Sequence, residues 1–307
     1  MKKNITYLCM AAAALLVSSC TQNEEITPTI ENEGRVPVLF TAKNIVTLET
    51  KADGYWYSSN DMGISMLSAD GENLIETNVH FRPENSGEGE VSLIPSTDGY
   101  TLYYPTDGSN VQFNAYVPYR TASSGIVTWD FSTETIRPFY TATTKGDGQE
   151  YNETTGQTQS VKFAFKHCLA QIVINLESTD YVVSNGVSAT LSNLPAFFTY
   201  NIATNEITPS TDPSDIPAFV NGSQLSFNVL PETWTEGSRT ITFVLPEGST
   251  FEATLSCPEG GFIAGKQYTY KTTFTETKTE GTFKATIEAW EVQDMGALTP
   301  TEVPVEP

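Results

Sequence analysis

Two histidines, four cysteines and 37 acidic side chains, spread over 307 residues, are the first candidates for any chemistry this chain performs. His80 and His167 lie in distant segments, so a His-rich zinc site or a two-His iron site would have to draw on both. No G-x-S-x-G, H-E-x-x-H or C-x-x-C spacing occurs, and no glycine loop of the phosphate-binding type. Among so many carboxylates an Asp/Glu acid–base pair cannot be recognised from spacing. The acidic loops Asp147-Gly148-Gln149-Glu150 and Asp212-Pro213-Ser214-Asp215 lack the ligand register of an EF-hand. The expectation is a protein with no catalytic residues, no metal and no cofactor.

Cys20 does stand in a chemical context. It follows Val17-Ser18-Ser19, an aliphatic residue and two small ones, in the layout of a bacterial lipobox. Ahead of it come Lys2 and Lys3 and an apolar run over residues 7–17. That run is shorter than the roughly 20 residues a bilayer span needs and has the shape of a secretory signal. Residues 1–19 are therefore predicted to be a lipoprotein signal peptide, removed when the Cys20 thiol takes up diacylglycerol and becomes the new N-terminus. Residues 20–35, polar and acidic, read as a tether to the outer membrane, with the protein exposed at the surface. Export permits a disulfide between Cys168 and Cys257. Two buried thiols fit the sequence equally well.

The remaining chain must fold into something that holds no obvious site. Lys and Arg number 16 against 37 acids, a net charge of −21, which repels nucleic-acid phosphates and excludes a DNA or RNA partner. Abundant Thr, with 14 Tyr and 16 Phe, favours strands. Period-2 alternation recurs: Val111, Phe113, Ala115 and Val117 against Gln112, Asn114 and Tyr116, then Leu225, Phe227 and Val229, then Ile241, Phe243 and Leu245. Asn-Gly, Asp-Gly and Glu-Gly pairs separate such runs. Between Val161 and Leu176 the apolar residues move from odd to even positions near Lys166-His167, as a bulge or a sheet-crossing bend would require. His167 is expected to be a hydrogen-bonded residue at that bend. The polar stretch 143–159 marks a break. The predicted organisation is an N-terminal β-sandwich over 36–155, a C-terminal β-sandwich over 156–298 and a flexible tail over 299–307.

Several segments, in this order, resemble the fimbrillin family, the type V pilins and fimbrillin-like lipoproteins of Bacteroidales. They are Val36-Pro37-Val38-Leu39-Phe40-Thr41 with Thr50-Lys51-Ala52, then Asp61-Met62-Gly63-Ile64 and Tyr103-Tyr104-Pro105. Next come Phe113-Asn114-Ala115-Tyr116-Val117-Pro118-Tyr119, similar to the family's F-x-A-Y-x-P-Y, and Phe165-Lys166-His167-Cys168-Leu169-Ala170, similar to F-x-H-x-L-A. Gly265-Lys266-Gln267-Tyr268 and Ile287-Glu288-Ala289-Trp290 complete the set. The resemblance implies an all-β fold of two tandem transthyretin-like β-sandwich domains. It also implies export as a lipoprotein, a protease cut after the first strand, and filling of the vacated groove by a strand from another fimbrial subunit.

Physical chemistry makes such a mechanism coherent. Removing one strand exposes an apolar slot and unpaired backbone groups, and an added strand restores both. Repeated head to tail, the contact builds filaments rather than closed dimers. Val36, Val38 and Phe40 are the residues whose removal would open the slot; otherwise they form a permanent first strand. Arg35, Lys43 and Lys51 are the basic candidates for the cut, with Lys51-Ala52 placed where family members often carry Arg-Ala. An Arg-strict protease would spare that bond and leave an uncut anchor or accessory subunit. The expected function is a stalk, tip or accessory subunit of a fimbria serving adhesion, with a host or bacterial surface receptor. The alternative is a surface lipoprotein that does not polymerise and binds glycans on Trp56, Trp129, Trp234 or Trp290.

Overall fold

The structure, a computed structural model, describes residues 34–44, 55–97, 100–133, 139–178, 181, 183, 186–232, 239–274 and 301–302. Cys20, Lys51, Ala52, Trp234, Trp290 and the segment 275–300 lie outside these residues.

The first half contributes β1 (Phe40–Asn44), β2 (Tyr55–Trp56), β3 (Met62–Ser68), β4 (Leu74–Pro83), β5 (Gly87–Glu88), β6 (Glu90–Pro95), β7 (Val111–Val117), β8 (Ile126–Asp130), β9 (Tyr140–Thr143) and β10 (Val161–His167). A single helical turn, α1 (Glu153–Gly156), lies between the last two. The second half contributes β11 (Ala170–Ser178), β12 (Ser188–Pro195), β13 (Phe197–Asn201), β14 (Glu206–Pro209), β15 (Pro213–Pro217), β16 (Phe219–Asn221), β17 (Gln224–Val229), β18 (Thr240–Val244), β19 (Thr250–Thr254), β20 (Gln267–Phe274) and β21 (Thr301–Glu302). The fold is all-β, as the alternating runs require. In β10 the rule is plain: Val161, Phe163 and Phe165 are buried while Lys162, Ala164 and Lys166 are exposed. Between β16 and β17 the two residues Gly222-Ser223 make the tight reversal, with Gly222 at φ 62°, a conformation that glycine adopts without strain.

Seven strands of the first half close into a hydrogen-bonded ring, in the order β1-β10-β9-β7-β3-β4-β6 and back to β1. Its core holds Phe40, Phe81, Phe113, Phe163 and Phe165. In the second half, sheet β16-β17-β11-β20 and sheet β15-β12-β18-β19-β21 share another core, with Ile172, Ile174 and Phe227 from the first and Leu191, Ile241 and Phe243 from the second. A third sheet, β14-β13-β8, pairs β8 of the first half with β13 of the second. Accordingly Trp129, Phe131 and Phe139 pack in the second core. The buried Asn114 amide donates to the carbonyls of Ile202 at 2.8 Å and Ala203 at 3.0 Å. Residues Arg35–Pro307 form one compact unit.

The boundary expected between 155 and 156 meets a different arrangement. The ring runs on through β10, because Val161, Phe163 and Phe165 face the core that Phe40 occupies. The chain leaves it at Cys168, whose N–H donates to the Phe139 carbonyl at 2.8 Å. Leu169 and Ala170 are then buried in the second core, so the change of face near His167 is a crossing from one sheet to another. The polar stretch before β10 is a loop laid on the ring. Asn152 caps α1 by accepting from the N–H groups of Thr154 and Thr155, and Gly156 presses so closely on the Tyr104 ring that a Cβ there would overlap it. Tyr151 is buried in the ring core and its hydroxyl donates to Asp147 at 2.8 Å. Within the tail expected to be flexible, Thr301 and Glu302 pair with Glu252 and Phe251 of β19.

Candidate functional site: the slot of the first strand

Strand β1 lies between two strands that no ladder joins to each other among the described residues. It runs antiparallel to β6, with Phe40 opposite Leu93 and Lys43 opposite Glu90. It runs parallel to β10, with Phe40 opposite Val161, Ala42 opposite Phe163 and Asn44 opposite Phe165. The approach is pinned as well. Val38 N–H donates to Leu102 at 2.9 Å, and Val36 accepts from Tyr104 N–H at 3.0 Å. The Arg35 guanidinium sits 4.9 Å from the centre of the Tyr103 ring.

Alternation decides which side chains matter. Val38, Phe40 and Ala42 are 3%, 2% and 0% exposed, whereas Leu39 is 59% exposed and Lys43 is also exposed. Val36 is half-buried against the same core. Phe40 is the deepest contact. Its ring meets Phe81 and Phe113 edge-on at 5.2 Å each and stacks on Phe163 at 5.5 Å. On the outer face the Thr41 hydroxyl donates to Glu90 at 2.6 Å, and Glu90 also meets Lys162 at 3.7 Å. That solvent-exposed pair contributes little.

The structure thus brings Val36, Val38 and Phe40 into one row. It adds Ala42 on the strand, Phe163 on the wall and Leu102 behind the approach, and it places Tyr103 and Tyr104 of the Tyr-Tyr-Pro segment beside Leu102. The repeat Phe163-Ala164-Phe165 was the available signal for the wall. Its pairing with a strand so far away in sequence had none. Lys43 is held in the β1 ladder and Arg35 is engaged with Tyr103.

The other motifs turn out to build the frame. Tyr119 N–H donates to the Asp61 carbonyl at 2.8 Å, which joins two of them. The Val117–Pro118 peptide is cis. Gly63 lies against Asn78 and the Tyr116 ring with no room for a Cβ. The Tyr116 hydroxyl sits 2.6 Å from Asn78 Oδ1 and 2.8 Å from the Arg120 carbonyl, and burial pushes that phenol far above its ordinary pKa. Gly265 N–H donates to Leu169 at 2.8 Å, and the Tyr268 hydroxyl donates to Gly261 at 3.1 Å.

Residues with chemical potential are spent on packing. His80 stacks on Tyr119 at 4.0 Å with Nε2 3.3 Å from Asp61. His167 lies 4.2 Å from the Tyr140 ring, and burial pulls its pKa down to about 4. Cys168 and Cys257 are not joined in a disulfide. The Cys168 thiol is raised by burial and lies 3.3 Å from the Thr141 hydroxyl. Trp56 and Trp129 are buried in the two cores and offer no open face to a sugar. Among the described residues, no group of three or more His, Cys, Asp or Glu side chains is placed to hold a metal ion.

A family model described as fimbrillin-like matches residues 50–290. The chain is 27% identical over 305 residues to a candidate fimbrium subunit, Fim1C, of Bacteroides uniformis, covering 94% of this chain and 96% of that one. The crystal structure of a candidate cell adhesion protein from Bacteroides uniformis matches with a TM-score of 0.66 at 25% identity, over 84% of this chain and 99% of the other. A candidate cell adhesion protein from Bacteroides ovatus shares the fold, with a TM-score of 0.61 at 16% identity, over 85% and 99% of the two chains.

Proposed function

The chain belongs to the fimbrillin-like family, and from that premise we propose that it is a fimbrial subunit assembled by exchange of its first strand. Its role is structural, at the cell surface, and not enzymatic. The observation that carries the reading is the position of β1. It is the shared neighbour of β6 and β10, and it fills the ring core with Phe40. Withdrawal would leave two rows of unpaired backbone groups beside an apolar slot lined by Phe81, Phe113 and Phe163. Such a slot is satisfied by an extended segment with inward residues at alternate positions, and the partner is a strand of another fimbrial subunit.

In this reading Cys20 carries the lipid that holds the precursor to the outer membrane. Cleavage at Lys51-Ala52 frees the anchored strand, and adhesion is exerted through the polymer. The glycan-binding alternative loses its support at Trp56 and Trp129, which are buried. The test is N-terminal sequencing of the protein from its native surface, together with electrophoresis of an unboiled sample. A start at Ala52 with an SDS-resistant ladder is the expected result. A lipidated start at Cys20 with a single band would overturn polymerisation and leave an anchor or accessory subunit.

A further inference from the structure

We propose that Trp56 closes the far end of the β1 slot and fixes the register of the strand that replaces β1; the inference rests on strand replacement. The indole is 2% exposed and packs edge-on against Phe165, with ring centroids 5.3 Å apart and planes at 69°. Phe165 is the partner of Asn44, the last residue of β1. On the other flank Trp56 pairs with Gly87 of β5, just ahead of Glu90 in β6, which faces Lys43. Trp56 is therefore held from the β6 side and touches the β10 side, at the end where β1 finishes.

Register needs such a device. A strand slipped by one residue turns its apolar face outward and is rejected. A slip by two keeps the apolar face inward, so alternation alone does not forbid it. A bulky, fixed side chain across the end of the slot does. Trp56 also lies downstream of Arg35, Lys43 and Lys51, so it stays with the body whichever bond is cut. Its indole N–H is buried without an acceptor among the described residues, a cost that a phenylalanine would not carry. Packing of the resting fold alone does not account for a tryptophan here. The strand that fits carries an aliphatic, an aromatic and a small residue at the positions of Val38, Phe40 and Ala42, and it turns away where it meets Trp56.

The test uses the full chain with a site-specific protease sequence inserted after Thr50. The nicked protein is incubated with an excess of a synthetic peptide of residues 35–44 bearing a photocrosslinker in place of the outward-facing Leu39. Mapping the crosslinks by mass spectrometry reads the register. The native chain should give one register. Trp56→Ala should raise the fraction slipped by two residues roughly tenfold, the scale of one lost aromatic packing contact. Trp56→Leu, which leaves a smaller cavity than alanine, should do the same and serves if the alanine variant does not fold. A single register in a folded variant overturns the role of Trp56 and leaves strand replacement standing. Failure of the peptide to enter the nicked native chain overturns strand replacement, and the role of Trp56 with it.

Discussion

The ring of Phe40 lies within 9° of parallel to that of Phe163, 5.5 Å away, across the parallel ladder of β1 and β10. A strand proposed to leave the fold is thus rooted in the centre of its core. Phe40→Ala should lower the unfolding free energy by about 3–5 kcal/mol, the usual cost of deleting a buried phenylalanine. Denaturant titration of the uncut chain measures it. A loss below about 1 kcal/mol would be out of keeping with a core residue.

Gly63 is required for space. A Cβ there would fall on Asn78 Oδ1 and the Tyr116 ring, both tied to the Arg120 carbonyl. Gly63→Ala should therefore destabilise by about 1–3 kcal/mol, as overpacked sites do. A thermal midpoint equal to that of the unaltered chain would show that the neighbours yield freely.

His167 gives the fold a pH dependence of known sign. Burial depresses its pKa to about 4 from the ordinary 6.5. The unfolded chain then takes up a proton below about pH 6.5 while the folded chain does not, so this stability is complete above that pH and declines as pH falls towards 4. By pH 5 the loss should be about 2 kcal/mol. Urea titrations at pH 7.5 and 5 should show the native chain losing about that much more than His167→Gln. Equal losses would mean that His167 is protonated in the fold.

Cys168 and Cys257 should both be free. Alkylation after unfolding without a reductant should modify the two thiols, as seen by mass mapping; a disulfide would leave neither modified. In the folded chain Cys168 should react slowly, since burial raises its pKa and the thiolate is the reactive form.

Local alternation showed clearly in the sequence, whereas the cover placed over each face did not. Both faces of β7 are buried through most of its length, although Asn114 and Tyr116 fall on what reads as the polar side. The reason is the second core: Tyr116 packs on Trp129 and Tyr200, and Asn114 bonds Ile202 and Ala203. Such cover comes from residues remote in sequence, which period-2 patterning does not address. The change of face at Lys166-His167 was legible because a sheet crossing must reset the parity. The body to which Val161–His167 belongs was not, since only its partners β1 and β9 decide that. Within the slot, Val38 and Phe40 could be read from alternation. Ala42 and Trp56 could not, because alanine is too small to draw notice and a tryptophan suits a surface platform just as well.

The parallel pairing of β1 with β10 also sets a timetable. Phe40 waits for Val161, about 120 residues later, and contacts of such long range slow the search for the native state. During synthesis the ring cannot shut until the chain has emerged from the ribosome as far as His167. The strand residues that are made first are thus among the last to find their place. Throughout that interval the slot and the strand meant to fill it are both open to other segments.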